Sequence, residues 1–335
     1  MIAPLALPYF GSFQKGQHFR TGDPLNAVWR SVERLGTIDN LTRIATLRSL
    51  DTATARTASL RIRQAVELRK VSLGTTPLSR PLLLYYSALN LVRGALMTQL
   101  GHMGAPGHGL RYVAGTSALT CSALSKKSGT FVQFTEMLGL KLDGYEGKAL
   151  TLRNVFSVIP ELANDFSLLN VGVRSIAYVV VNAIYQGPMK FRYHIDGITE
   201  DDFAAQWPDK LPWLKDVCDC VEPFTLQFRA NPKDETEVEE LCKKHLLHDL
   251  NWREDAVWYD HIVGNDVVLL PRISAYLAAL FILSNMCRYE PELIDGATRD
   301  PTDLAYVLNT FLDHVERYFP QLILEALYGT GMFFR

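Results

Sequence analysis

The stretch that decides the fold is residues 81–110, PLLLYYSALNLVRGALMTQLGHMGAPGHGL. Pro81 suits the first turn of a helix, and the residues after it are apolar on nearly every side. We therefore predict a central core helix that ends near Leu100. Four glycines between positions 101 and 109 then break the helix and form a loop.

The candidate site residues of this stretch are polar groups that are costly to bury. Tyr86, Asn90 and Arg93 are spaced four and three residues apart, so they project from one side of the predicted helix. His108 lies between two glycines, which free the backbone to place an imidazole against a ligand. We predict that Arg93 holds an anion and that His108 contacts or orients it.

A second apolar helix, predicted from residue 273, repeats the pattern Asn-x-x-Arg with Asn285 and Arg288. A buried guanidinium group needs a partner, because an unpaired buried charge is unstable. If the two helices pack together, Arg93 and Arg288 converge on one anion, such as a phosphate or a nucleotide. The alternative is that each arginine pairs with protein carboxylates such as Glu290.

Length and composition are those of a globular chain, with 335 residues, of which 48% are hydrophobic and 21% charged. The longest apolar run, residues 275–283, is far shorter than the roughly 20 residues of a membrane-spanning helix. The first ten residues contain two prolines and lack the basic start and cleavage site of a secretory signal. We therefore expect a cytoplasmic protein without a membrane partner.

The five cysteines have no regular spacing, which predicts free thiols. Cys218 and Cys220 precede Cys242, His245 and His248, but this spacing matches zinc sites poorly, so neither a metal nor a cofactor is expected. The motifs Gly-x-Ser-x-Gly, His-Glu-x-x-His and Gly-x-Gly-x-x-Gly after a strand are absent. Their absence argues against the common hydrolase, metalloprotease and Rossmann classes.

Charge is distributed unevenly, although the formal net charge is only -2. Residues 1–100 contain 13 Lys and Arg against 5 Asp and Glu, and the remainder contains 21 against 31. Arg56, Arg63 and Lys70 repeat every seven residues and share one face of a helix predicted over 51–73. Such a basic region attracts nucleic acid or another anion. The alternative is that it packs against the acidic remainder and that this helix face is merely solvated.

The other elements follow from local patterns. Helices are predicted over residues 23–35, over 150–168 with a bend at Pro160, over 235–250, and over 303–327 with an interruption at Pro320. Strands are predicted over residues 130–134, 175–181, 190–194, 224–228 and 258–263, with a hairpin turn at Gly264 and Asn265.

The order of these elements predicts an α+β protein with a predominantly helical core from N- and C-terminal helices and a strand-bearing middle subdomain. An extended arm is expected over residues 1–22, and the N-terminal helical part of the core over 23–110. A mixed α/β region is expected over 111–270, and the C-terminal helical part of the core over 271–335.

Three segments of the chain resemble the YaaC-like family of bacterial proteins. They are RPLLLYYSALNLVR at 80–93, HGL at 108–110 and ALFILSNMCRYEP at 279–291, with RYFP at 317–320 as a fourth point of similarity. The resemblance implies no agreed catalytic residues.

The pair Tyr85 and Tyr86, followed by an apolar helix, also resembles the second helix of HEPN domains, many of which are ribonucleases in toxin and antiviral systems. Those nucleases depend on an Arg and a His separated by four to six residues. Here eight residues separate Arg93 from His102, and seven separate Arg253 from His261. The resemblance therefore implies a HEPN-like helical core that binds rather than cuts.

Together these features predict a protein that binds an anionic ligand, nucleic acid or a nucleotide, and acts in antiviral defence or a stress response. The ligand-binding residues would be Tyr86, Asn90, Arg93, Asn285 and Arg288. One alternative is a metal-independent ribonuclease in which His108 and Arg93 are catalytic. Another is a non-catalytic assembly subunit of a defence complex, so a protein partner and homo-oligomerisation are both left open.

Overall fold

The computed structural model describes residues 16–140, 142, 146–169, 176–182, 189–195, 198–230, 237, 246–248, 258–261, 270–329 and 331–334. The helices, in chain order, are α1 (Pro24–Leu35), α2 (Ile38–Leu47), α3 (Thr52–Ser72), α4 (Arg80–Leu100), α5 (Thr130–Met137), α6 (Leu152–Phe156), α7 (Ala163–Ser167), α8 (Glu200–Lys210), α9 (Arg272–Tyr289), α10 (Pro291–Thr298) and α11 (Asp303–Tyr328). The strands are β1 (Gly16–Phe19), β2 (Leu110–Val113), β3 (Ser122–Ser125), β4 (Ala149–Thr151), β5 (Ile176–Asn182), β6 (Lys190–His194), β7 (Cys218–Glu222), β8 (Thr225–Phe228), β9 (Leu247–His248), β10 (Trp258–His261) and β11 (Gly331–Phe334). The chain is thus an α+β protein with a predominantly helical core, which confirms the predicted fold class.

The two apolar helices that the sequence singles out, α4 and α9, lie at the centre of the molecule. Every residue of α9 from Arg272 to Met286 is buried, as are 14 residues of α4. One hydrophobic core joins both helices to α1, α2, α3, α5, α6, α10 and α11. Burial of apolar surface on this scale is the main force that holds the helical part together.

Helices α3 and α4 approach closely because Gly94 has no side chain. A Cβ atom added at Gly94 would lie 2.8 Å from Cγ1 of Ile62, closer than real carbon contacts. The Ser87 hydroxyl donates to the backbone carbonyl of Ala65 at 2.7 Å and ties the same two helices together. This packing brings Arg61 of α3 against the polar side of α4.

A buried ion-pair network joins the basic first third of the chain to α11. Glu316 is 4% exposed and accepts hydrogen bonds from Arg69 at 2.8 Å and from Arg80 at 2.9 Å. Arg80 also pairs with Asp313 at 2.8 Å. Part of the uneven charge is therefore neutralised inside the molecule, as the alternative interpretation expected. The ridge of α3 at positions 56, 63 and 70 is exposed.

The strands form three sheets within the part of the chain that the structure describes. An antiparallel sheet in the order β2-β3-β4 packs on the main core. A six-stranded antiparallel sheet in the order β7-β8-β6-β5-β10-β9 has its own hydrophobic core with α8. The third sheet pairs β1 with β11 in parallel, and Phe19 stacks on Phe334 with ring centroids 4.7 Å apart.

Several predicted elements are confirmed, among them the helices over 23–35, 51–73 and 303–327 and the strands over 175–181, 190–194 and 224–228. The strand predicted over 130–134 is wrong, because these residues begin α5. The buried residues of α5 are Thr130, Phe131, Val132, Phe134 and Thr135. A short apolar run does not distinguish a buried strand from a buried helix.

The single helix predicted over 150–168 is also wrong. The chain forms β4 and α6 there, then a 3-10 turn that begins at Pro160, and then α7. The interruption predicted at Pro320 is absent, and α11 is continuous. A proline leaves the carbonyl four residues earlier without its helical donor, and here Trp29 Nε1 donates to that carbonyl, on Glu316, at 2.9 Å.

Residues 247 and 248 form a strand rather than the end of the helix predicted over 235–250. The rest of that helix lies almost entirely outside the described residues, as do Gly264, Asn265, Cys242 and His245. Within the described residues, no helix is both long enough and apolar enough to cross a bilayer.

Candidate functional site

The loop that carries His108 is fixed by backbone hydrogen bonds to two neighbouring elements. The amide of Thr130 donates to the carbonyl of Gly107 at 3.1 Å, and the amide of Phe131 donates to the carbonyl of His108 at 2.9 Å. Both donors belong to the first turn of α5, whose amides have no partner within the helix. The amide of Lys126, next to the end of β3, donates to the carbonyl of Gly109 at 3.0 Å.

Two glycines make this arrangement sterically possible. Gly109 and Gly129 have φ angles of +79° and +127°, a region that other residues rarely occupy. A Cβ atom on Gly129 would lie 2.4 Å from the backbone nitrogen of Gly109. The His108 loop and the start of α5 are thus in direct backbone contact.

The ring of His108 lies in an aromatic setting between α4 and α9. The hydroxyl oxygen of Tyr85 is 2.6 Å from Nδ1 of His108, and the Tyr85 side chain is fully enclosed. Phe281 of α9 lies against both rings, with centroid distances of 5.7 Å to Tyr85 and 5.8 Å to His108. Tyr86 meets Tyr85 edge to face at 5.5 Å and is half-buried.

Positive side chains from separate elements act electrostatically on His108. Burial lowers the pKa of His108 below its usual value, and the charges of Arg93, Arg288 and Lys126 lower it further. Burial raises the pKa of the Tyr85 hydroxyl, while Arg93 and Arg288 oppose that rise. Both rings are therefore within electrostatic range of both arginines.

Arg61 extends this group of charges. Burial lowers the pKa of Arg93, and the neighbouring charge of Arg61 lowers it further. We refer to Arg61, Arg93, Lys126 and Arg288 as the cation cluster. Its members come from α3, α4, the segment after β3 and the last turn of α9, so only the folded chain assembles it.

The two asparagines of the repeated pattern support members of the cation cluster. Asn90 donates from Nδ2 to the carbonyl of Tyr86 at 2.9 Å, and its Oδ1 lies 3.4 Å from Nη1 of Arg61. Asn285 donates in the same way to the carbonyl four residues earlier, and its Oδ1 accepts from Nη2 of Arg288 at 2.9 Å. Both amides are buried and orient a guanidinium group.

The members of the cation cluster are half-buried or exposed, and their charge is balanced differently from that of the arginines in the buried ion pairs. Among the ion pairs of the described residues, none joins a carboxylate to a member of the cluster. Arg69 and Arg80, by contrast, pair with Glu316, and Arg272 pairs with Glu161 at 2.9 Å. The alternative in which Glu290 pairs with Arg288 is likewise not seen among these ion pairs.

Sequence reasoning missed three contributors to this site. Tyr85 was considered only as part of a tyrosine pair, although its position one residue before Tyr86 turns it toward the core. Arg61 lies on the same helix as the basic face of Arg56, Arg63 and Lys70 but outside that seven-residue repeat, and no sequence pattern points to Lys126. An aromatic residue inside an otherwise aliphatic helix is the one local clue that pointed to Tyr85.

The fold and the site define a class of protein: an α+β chain with a helical core that holds a cation cluster around a histidine. The family model described as YaaC-like protein matches residues 37–327, so the chain belongs to the YaaC-like family. The comparisons with curated proteins and with solved structures gave no match.

This arrangement is suited to holding an anion. Burial and the neighbouring cations hold the pKa of His108 below its ordinary value, which favours the neutral ring at pH 7, so the ring contributes hydrogen bonding rather than charge. The members of the cluster carry the positive charge that a phosphate requires. Within the described residues, no group of three or more His, Cys, Asp and Glu side chains is placed to hold a metal ion.

Proposed function

We propose that the protein binds a phosphate-bearing ligand, a nucleotide or nucleic acid, at the cation cluster. The observation that carries the proposal is that Arg93, Lys126 and Arg288 all act on the half-buried His108, with Arg61 beside Arg93, while none of the four has a carboxylate partner among the ion pairs of the described residues. Clustered like charges repel one another, so they are kept where a bound anion offsets the cost.

The number of charges favours a ligand with more than one negative charge. A single phosphate accepts two parallel hydrogen bonds from one guanidinium, and the cluster contains three guanidinium groups and one ammonium group. Arg288 also stacks on Tyr289, with 5.0 Å between the guanidinium carbon and the ring centroid, and that ring is 63% exposed. An exposed aromatic ring beside a phosphate site is suited to stack on a base.

The test is binding of labelled single-stranded RNA and, separately, of ATP to the wild-type protein and to Arg93→Ala and Arg288→Ala variants. Loss of a charge-assisted hydrogen bond costs about 1.5–3 kcal/mol, so each variant should bind about 10- to 150-fold more weakly. For RNA, the slope of log affinity against log salt should also decrease by about 0.7 for each lost phosphate contact.

Arg63→Ala is the matched control, because Arg63 is an exposed arginine of α3 outside the cluster. It removes the same charge and should change affinity little. Equal losses in Arg63→Ala and Arg93→Ala would mean that binding depends on net charge alone. Unfolding of both site variants, followed by circular dichroism, would instead assign Arg93 and Arg288 a structural role.

A metal-independent ribonuclease is the second candidate, because a neutral histidine beside Arg93 is the protonation state that a general base needs. Incubation of labelled RNA with the wild-type protein and a His108→Ala variant in the presence of EDTA tests it. Cleavage that disappears in the variant would support the enzyme. Intact RNA in both samples would remove the enzyme and leave anion binding as the function.

A part in antiviral defence or a stress response belongs to the same proposal and rests on the HEPN-like tyrosine pattern of α4. A bacterial strain that expresses the wild-type protein should survive phage challenge better than one that expresses Arg93→Ala. Equal survival at equal protein levels would remove the defence role. Size measurement of the purified chain tests the assembly-subunit alternative.

A further inference from the structure

The hydrogen bond between Tyr85 and His108 has only one orientation that satisfies both groups. Tyr85 is 1% exposed, so its hydroxyl proton has no access to water. Within the described residues its hydroxyl has one hydrogen-bond partner, Nδ1 of His108 at 2.6 Å. A buried hydroxyl that cannot donate is strongly unfavourable, so Tyr85 donates and Nδ1 accepts.

This orientation fixes the tautomer of the imidazole. A neutral histidine carries one ring proton, and Nδ1 cannot hold it while accepting from Tyr85. The proton is therefore on Nε2. In the opposite tautomer Nδ1 would donate to the Tyr85 oxygen, and the buried hydroxyl proton would have no acceptor among the described residues. The backbone cannot shift to relieve this conflict, because the carbonyls of Gly107 and His108 are bound to α5.

The charged neighbours of His108 also keep the ring neutral. Arg93 acts on it from α4, Arg288 from α9 and Lys126 from the segment that follows β3. The neighbouring charges that lower the pKa of His108 are all positive. A protonated ring would add a further positive charge to the cluster, and its Nδ1 would become a donor, which leaves the buried Tyr85 hydroxyl proton without an acceptor among the described residues.

We propose that Tyr85 is a positioning residue that fixes His108 in the tautomer with its proton on Nε2, so that neutral His108 donates a hydrogen bond to an oxygen of the bound phosphate. The identity of the acceptor rests on the proposed function, whereas the tautomer does not. In this state Nε2 has no free lone pair, so His108 does not act as a general base. The site is then built to bind rather than to cut.

The first experiment measures the tautomer directly in the unliganded protein. Histidine is labelled with 15N, and the ring nitrogens are observed by NMR near pH 7 in the wild type and in Tyr85→Phe and Tyr86→Phe variants. We expect an unprotonated Nδ1 and a protonated Nε2 for His108 in the wild type and in Tyr86→Phe. Tyr85→Phe should give a mixture of tautomers and a higher titration midpoint, since a hydrogen bond donated to the neutral ring opposes protonation.

The second experiment tests the use of the Nε2 proton with labelled single-stranded RNA and with ATP. The side-chain amide of glutamine is a neutral donor that cannot act as a base, so His108→Gln should bind within a few-fold of the wild type. His108→Ala should bind about 10-fold more weakly, and Tyr85→Phe should fall between the two.

The outcomes separate this inference from the proposed function. A proton on Nδ1 in the wild type overturns the inference even if the protein binds RNA. Equal loss of binding in His108→Gln and His108→Ala, with both variants folded, also overturns it. If the tautomer is as expected but the wild type binds neither RNA nor ATP, the proposed function fails while the role of Tyr85 in fixing the tautomer stands.

Discussion

Replacement of Arg93 by methionine should stabilise the folded protein while it weakens anion binding. Arg93 is half-buried on α4, and burial and the charge of Arg61 both lower its pKa, so both disfavour its charged form in the folded state. No carboxylate of the described residues pairs with it. Methionine keeps the apolar stem of the side chain and favours the helix.

The magnitude follows from the neighbours of the guanidinium. Repulsion by one like charge near a protein surface is worth roughly 0.5 kcal/mol, and partial desolvation adds a similar amount. We therefore expect the free energy of unfolding to rise by about 1 kcal/mol, which corresponds to about 2 °C in Tm for a chain of this size. Stabilisation by loss of a functional charge is the usual trade-off at binding sites.

Thermal denaturation at low and at high ionic strength measures this effect. The stabilisation should decrease as salt rises, because salt screens the repulsion between partly exposed charges. Arg63→Met is the control, since Arg63 is exposed and should show almost no change in Tm. A lower Tm in Arg93→Met than in the wild type, or an increase that is independent of salt, would refute the reasoning.

Three further predictions concern the surroundings of the site and the core. Arg69→Met should lower the free energy of unfolding, whereas Arg93→Met should raise it. The expected loss in urea denaturation is about 3–5 kcal/mol, because the buried Glu316 keeps one partner fewer; a loss below 1 kcal/mol would contradict this. Gly129→Ala should cost about 3 kcal/mol or more of unfolding free energy and reduce RNA binding, because the new Cβ would meet the backbone of Gly109; an unchanged Tm would contradict it. Burial raises the pKa of Glu325 to about 7 from 4.5, so the neutral carboxyl is favoured in the fold, and the contribution of Glu325 to stability is greatest below about pH 4.5 and falls as the pH rises toward 7. The free energy of unfolding of Glu325→Gln, relative to that of the wild type, should therefore increase by about 2–3 kcal/mol between about pH 5 and pH 8. A difference that stays constant over this range would show that Glu325 does not titrate there.

The central helices could be predicted from the sequence because their signals are local and long. Apolar residues run through both α4 and α9, and Pro81 and Gly101 lie at the start and just after the end of α4. The repeated Asn-x-x-Arg pattern was visible for the same reason. Its physical meaning was only partly visible, since the amide of Asn90 contacts Arg61 rather than Arg93.

The errors arise where tertiary packing overrides a short pattern. Residues 130–134 look like a strand, but their backbone amides are needed to hold the carbonyls of the His108 loop, and a helix start supplies them. Pro320 looks like a helix breaker, but Trp29 satisfies the carbonyl that it leaves open. No local pattern contains either partner.

The site itself was predicted only as far as single elements allow. The chemistry of Arg93, His108 and Arg288 makes each of them a candidate, but only the packing of α4 against α9 puts both arginines within electrostatic range of the histidine. Tyr85 and Lys126 escaped notice because their importance comes from what they contact. The charge of Lys126 acts on His108 because the backbone amide of Lys126 is bound to the carbonyl of Gly109, next to the histidine.

The most direct test of the central claim is a double-mutant cycle of Arg93→Ala and Arg288→Ala, measured as the affinity for labelled single-stranded RNA. If both guanidinium groups hold the same anion, the loss in the double variant should fall short of the sum of the single losses by about 0.5 kcal/mol or more. Losses that add fully, or single variants that bind as tightly as the wild type, would contradict a shared anion site.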